Sequence, residues 1–103
     1  MLSFLQKIFG KGTSVNYAEL IKNGAQIIDV RTPGEYQGGH IPGSKNIPLQ
    51  ILSSKMESLP KNQPIITCCA SGMRSASAKS LLTKNGFPLV YNGGGWASLR
   101  NKI

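Results

Sequence analysis

Acidic side chains are scarce in this sequence: Glu19, Asp29, Glu35 and Glu57 stand against twelve Lys and Arg, for a net charge of +8. So lopsided a balance on a small body makes a field that draws in anions and speeds their encounter. The lysines Lys7, Lys11, Lys22, Lys45, Lys55, Lys61, Lys79 and Lys84 are scattered, form no run and have no aromatic residues interleaved among them. Single-strand nucleic-acid binding needs that interleaving, so the surface reads as a solvated one and no nucleic-acid partner is expected. Histidine is nearly absent, His40 being the only one, and a tetrahedral zinc site needs about four ligands, so no metal is expected. Only two cysteines occur, Cys68 and Cys69, and they are neighbours. A disulfide between neighbours is strained and staples nothing, which sets aside a secreted scaffold. Long apolar runs are missing too. Nothing approaches the roughly 20 apolar residues of a membrane span, and the start of the chain shows no signal-peptide core. The expected compartment is reducing and cytoplasmic.

What remains is a chain of 103 residues, enough for one compact core and too short for two. Residues 1–12 read as a short amphipathic segment, with Leu2, Leu5, Ile8 and Phe9 at helical spacing before Gly10 and Gly12 break it. Residues 13–103 read as the domain. Helix and strand patterns alternate along it. A helical turn over 16–21 stops at Asn23-Gly24, and a buried strand over 25–30 closes at Thr32-Pro33. A brief helix follows over 35–37, a short strand over 46–48 and a helical stretch over 49–59. The clearest strand is 64–68 and the clearest helix 75–84. A strand over 89–91, a turn at Asn92-Gly93-Gly94-Gly95 and a helix over 96–102 complete the pattern. Short apolar strands separated by helices predict an α/β fold, with a parallel sheet covered on both faces.

In such sheets ligands bind beyond the carboxyl ends of the strands. The segment Cys69-Ala70-Ser71-Gly72-Met73-Arg74 falls there, with a strand behind it and a helix ahead. The first amides of that helix have no helical partners, and its dipole adds roughly half a positive charge. Gly72 lets the backbone curl so that amides converge on one point, an anion nest. Small side chains keep the expected cup open above the sulfur, and Arg74 adds a cation. Lowering a thiol pKa by about two units takes about 2.7 kcal/mol of preferential thiolate stabilisation, within reach of such a loop. A thiolate so stabilised needs no histidine base. Cys68 points to the opposite face of its strand and reads as a core residue.

Several motifs in order then resemble one family. Ile27-Ile28-Asp29-Val30-Arg31-Thr32-Pro33-Gly34-Glu35-Tyr36, Gly39-His40-Ile41-Pro42-Gly43-Ser44-Lys45-Asn46-Ile47-Pro48, Cys69 to Ser75, and Asn92-Gly93-Gly94-Gly95-Trp96 together look like the signature of rhodanese-like domains. The resemblance implies a central parallel five-stranded sheet flanked by helices on both faces. It implies that Cys69 takes a sulfane sulfur from a small anionic donor such as thiosulfate and passes it to a thiol or cyanide acceptor, with no cofactor. It places the persulfide cradle on Ala70, Ser71, Gly72, Met73 and Arg74, and gives Asp29 and His40 structural positions. Ala70 and Ser71 stand where members efficient with thiosulfate often carry basic side chains, so a low-molecular-weight or protein persulfide donor stays equally open. Two other functions remain open beside this one. Cysteine phosphatases and arsenate reductases share thiolate, nest and arginine but resemble a pattern with five residues between Cys and Arg, whereas four separate Cys69 from Arg74. A binding module using the fold without chemistry is the other.

Overall fold

The computed structural model describes residues 15–103; the expected amphipathic segment over 1–12 and the domain boundary at 13 lie outside the described residues. In chain order the elements are α1 (Tyr17–Lys22), β1 (Gln26–Asp29), α2 (Pro33–Gln37), β2 (Lys45–Asn46), α3 (Leu52–Lys55), β3 (Ile65–Cys69), α4 (Met73–Lys84), β4 (Val90–Gly95) and α5 (Trp96–Arg100). Single 3-10 turns, Leu49–Ile51 and Met56–Ser58, flank α3. All strand pairs are parallel, in the order β2-β1-β3-β4. Among the described residues the sheet has four strands rather than the expected five.

Side chains of β3 alternate between two cores. Ile65 and Cys69 face one, with Ile28, Val30, Leu52, Ala78 and Leu82. Ile66 and Cys68 face the other, with Ile27 and Leu99 and the half-buried Leu20 and Ile21. The sheet is therefore buried on both sides, and β3, in its middle, is apolar along its length except for Thr67. Thr67 satisfies its hydroxyl by donating to the Ser75 carbonyl at 2.9 Å. Helix starts are encoded locally. Asn16 Oδ1 caps α1 by accepting from Glu19 N, while Thr32 and Glu35 form a reciprocal capping box with Pro33 in the first turn of α2.

Two expectations need correction. The stretch 49–59 is not one helix but a 3-10 turn, a short α-helix and a second 3-10 turn. In the second 3-10 turn, Ser58 donates its hydroxyl to the Lys55 carbonyl three residues back at 2.8 Å, a bonding that suits the tighter winding. The glycines 93–95 do not form a turn outside the sheet but continue β4, with an irregular register opposite Thr67 and Cys69. A Cβ on Gly93 would lie 2.9 Å from Ile66, Leu99 and the Thr67 carbonyl, and one on Gly95 only 2.8 Å from the Ala70 carbonyl. Side chains are excluded because the strand runs hard against its neighbours. No helix among the described residues is long and apolar enough to cross a membrane.

Candidate active site

β3 ends on Cys69, and α4 begins at Met73, so the thiol sits at the junction predicted for it. Gly72, at φ +109°, makes the left-handed bend that turns the chain into the helix. Gly72 supplies no side chain to cap α4, and the sulfur takes that place. Cys69 Sγ accepts from the Gly72 amide at 2.9 Å and from the Ser75 amide at 3.3 Å. Two of the orphan donors at the helix start thus converge on one atom, on the positive end of the dipole. Burial pushes the Cys69 thiol up, but hydrogen bonds from the Ser75 hydroxyl and the Ser75, Gly72 and Ser71 amides outweigh it, and the pKa falls below the ordinary value.

Cys68 behaves oppositely. Burial, the negative charge of Asp29 and the neighbouring Cys69 push its thiol up to about 12, against a smaller pull from Arg31. One strand residue apart, the two sulfurs lie in different cores and have opposite electrostatics.

The remaining predicted loop residues distribute themselves around this pair of features. Ala70, Ser71 and Met73 are exposed and form the rim, Met73 being 80 % exposed. The cup is closed rather than open: Cys69 has no exposed surface at all. Arg74 does not point its guanidinium at the sulfur among these bonds. It donates from Nη1 and Nη2 to the two carboxylate oxygens of Glu35, at 2.8 and 3.0 Å. The cation expected beside the sulfur is thus offset by a carboxylate, and the amides carry most of the thiolate stabilisation.

Asp29 and His40 lie outside the hydrogen bonds around Cys69. Asp29 is fully buried and takes Arg31 in a fork, with Nε at 2.9 Å from Oδ1 and Nη2 at 2.8 Å from Oδ2. Arg31 also donates to the Gly39 carbonyl at 2.7 Å and lies over the Trp96 ring at 4.8 Å. This ties the turn after α2 to α5. His40 is exposed, stacks on Tyr36 and donates Nδ1–H to the Tyr36 carbonyl at 2.7 Å.

Three polar residues of the site escaped the sequence reading. Ser75 donates its amide to the sulfur and accepts from the Cys69 thiol at its hydroxyl; that hydroxyl donates to Asn92 Oδ1 at 2.6 Å; and Glu35 holds the loop arginine. Each stood inside a motif already singled out, as the last residue of the cysteine loop, the first of the glycine segment and the acid near the end of the Ile27–Tyr36 motif.

The family model of the rhodanese-like domain matches residues 14–102. The chain belongs to the rhodanese-like family. Among its relatives, the uncharacterized protein YqhL of Bacillus subtilis is 41 % identical over 80 residues, covering 77 % of this chain. The chain spans only 64 % of that relative's length. The thiosulfate sulfurtransferase GlpE of Pseudoalteromonas translucida is 41 % identical over 73 residues, covering 71 % of this chain and 70 % of its own. A rhodanese-related protein from Thermoplasma volcanium superposes with a TM-score of 0.72 at 35 % identity, over 86 % of this chain and 91 % of its own. The parallel α/β architecture is that of rhodanese-like folds.

Proposed function

We propose that this protein is a sulfurtransferase that carries a sulfane sulfur as a persulfide on Cys69. The observation that carries the reading is the convergence of the Gly72 and Ser75 amides on Cys69 Sγ at the start of α4. Membership of the rhodanese-like family supports it, as do relatives named thiosulfate sulfurtransferase.

In the first step the Cys69 thiolate attacks the outer sulfur of the donor. A new S–S bond forms, and the donor's own S–S bond breaks with its electron pair leaving on the departing group, sulfite in the case of thiosulfate. In the second step a thiolate or cyanide attacks the terminal sulfur, the bond to Cys69 breaks, and the Cys69 thiolate returns. Charge sits on sulfur throughout, and the loop amides are fixed donors toward it that need no reorganisation. The positive surface favours a small anionic donor, while the neutral rim of Ala70, Ser71 and Met73 also suits a protein persulfide. Because the sulfur is covered, transfer requires that rim to move aside. A reducing compartment would keep the carrier thiol free between turnovers.

Intact mass after incubation with thiosulfate, and separately with a low-molecular-weight persulfide, tests the reading. The expected result is gain of one sulfur atom by the wild type and none by Cys69→Ser. Absence of the adduct with every donor, or its persistence in Cys69→Ser, would overturn it.

A further inference from the structure

We propose that Asn92 is a positioning residue that holds the Ser75 hydroxyl as an acceptor toward the Cys69 thiol, and so restrains ionisation of that thiol. The inference rests on the reading of Cys69 as the sulfur carrier for its functional meaning, but its geometry stands apart from it.

The orientation of the Asn92 amide is fixed by its partners. Gly94 N–H, which can only donate, lies 2.9 Å from Oδ1, so the oxygen faces Gly94 and Ser75. The Ser75 hydroxyl has one proton and three neighbours: Asn92 Oδ1 at 2.6 Å, the Gly72 carbonyl at 3.0 Å and Cys69 Sγ at 3.5 Å. The first two only accept, and the Asn92 oxygen is nearest. With its proton on Asn92, the hydroxyl presents a lone pair to the sulfur. A thiol meets that lone pair well by donating its S–H. A thiolate, or a persulfide whose charge reaches Sγ, meets it badly, because two lone pairs then face each other. The hydroxyl turns to the sulfur only by leaving Asn92, whose oxygen keeps the Gly94 amide and is not orphaned.

Asn92 and Ser75 therefore act on Cys69 in opposite directions. Ser75 is the extra donor available to the ionised sulfur; Asn92 competes for that donor. Among the described residues, the charged and titratable groups around the sulfur are Arg74 from α4, its partner Glu35 from α2, Cys68 beside it on β3, and Asp29 with Arg31 at the end of β1. None of these bonds to the Ser75 hydroxyl, whose partners are Asn92, Gly72 and Cys69.

The test is the pH dependence of Cys69 alkylation by iodoacetamide, read by intact mass in a Cys68→Ala background that leaves one thiol. Hydrogen bonds to charged groups are stronger than those to neutral ones, which sets the expected midpoint shifts at roughly one pH unit. Asn92→Ala should lower the midpoint by about that much, about tenfold in rate at a pH below it. Ser75→Ala should raise it. Asn92→Ala added to Ser75→Ala should change nothing further, since the residue acts through the hydroxyl. Should Asn92→Ala fail to fold, Asn92→Asp retains both acceptor contacts. Its midpoint should rise more with Ser75 present than in Ser75→Ala, the added charge being common to both. An unchanged or raised midpoint in Asn92→Ala, a shift that survives in Ser75→Ala, or equal rises for Asn92→Asp in the two backgrounds would overturn the assignment. A protein that took up no sulfur yet showed the expected shifts would overturn the sulfurtransferase reading and leave Asn92 in this role.

Discussion

Arg74 and Glu35 clasp each other by two parallel hydrogen bonds, 2.8 and 3.0 Å long, across more than a third of the chain. The same Glu35 Oε1 accepts from the Thr32 amide at 3.0 Å and so closes the capping box of α2. One carboxylate thus fastens the cysteine loop to the helix that follows β1. The pair is about one-third exposed on each side, so salt screens it in part.

That clasp should show in acid. Arg74 and the Thr32 amide hold the Glu35 carboxyl down at about 2, against an ordinary 4.5. A carboxyl with a depressed folded pKa adds stability above its unfolded pKa, and that stability is lost as pH falls through the folded value. Glu35→Gln should therefore melt below the wild type at pH 7. The gap should close as pH drops from about 4.5 to about 2. Thermal melts across that range check it, and a gap that widened in acid would contradict the pairing.

The two thiols should react apart. Cys69→Ser should abolish sulfur transfer, while Cys68→Ala should keep most of it. Alkylation of Cys69 should have a midpoint below that of a free thiol. Cys68, at about 12, should resist the reagent at any pH the fold tolerates. Mass mapping of alkylated protein checks both, and modification of Cys68 first would reverse the assignment.

Glycine substitutions should divide by geometry. Gly93→Ala forces a methyl group to within 2.9 Å of two side chains and a carbonyl, and Gly95→Ala puts one 2.8 Å from the Ala70 carbonyl. Overpacking of this kind costs about 1–3 kcal/mol, to be measured by urea unfolding. Gly34→Ala, in the first turn of α2 with nothing within 4 Å, should be neutral or slightly stabilising.

Ring size should decide the chemistry. Four residues separate Cys69 from Arg74, and the amides crowd one large atom rather than a tetrahedral oxyanion. The wild type should transfer sulfur to cyanide or a thiol and leave a generic aryl phosphate intact. One glycine inserted between Ala70 and Arg74 should weaken transfer at least tenfold, because the donors move outward and water competes for them. Phosphatase turnover by the unaltered protein, with no sulfur transfer, would refute this.

The legible parts of the fold were those in which local signals agree. β3 is a β-branched apolar run after a turn, and α4 ends at Asn85-Gly86; both lie within two residues of expectation. The junction at Cys69 followed from them. β4 was cut short because glycine has no strand preference of its own, and Gly93 and Gly95 belong to the strand only through the close approach of Ile66, Leu99 and Ala70. The fifth strand came from the family resemblance, since the residues themselves suggested four. At the site, the facing of Cys68 and Cys69 followed from strand alternation. The direction of Arg74 did not, because Glu35 reaches it only in three dimensions. Ser75 and Asn92 stayed hidden for the same reason: a hydroxyl and an amide at residues 75 and 92 have no sequence pattern that joins them.

The tight seam between Gly95 and Ala70 bears on transplantation. The six residues from Cys69 to Arg74 look like a portable cassette, a sulfur-holding loop ready to be grafted onto any parallel strand followed by a helix. Their backbone, however, is pressed into shape by a neighbouring strand whose Gly95 leaves only 2.8 Å between a Cβ position and the Ala70 carbonyl. A host scaffold with an ordinary side chain at that point would splay the loop and spread its amides. The unit that moves between proteins is therefore the loop together with the glycines of β4, two segments distant in sequence that travel as one.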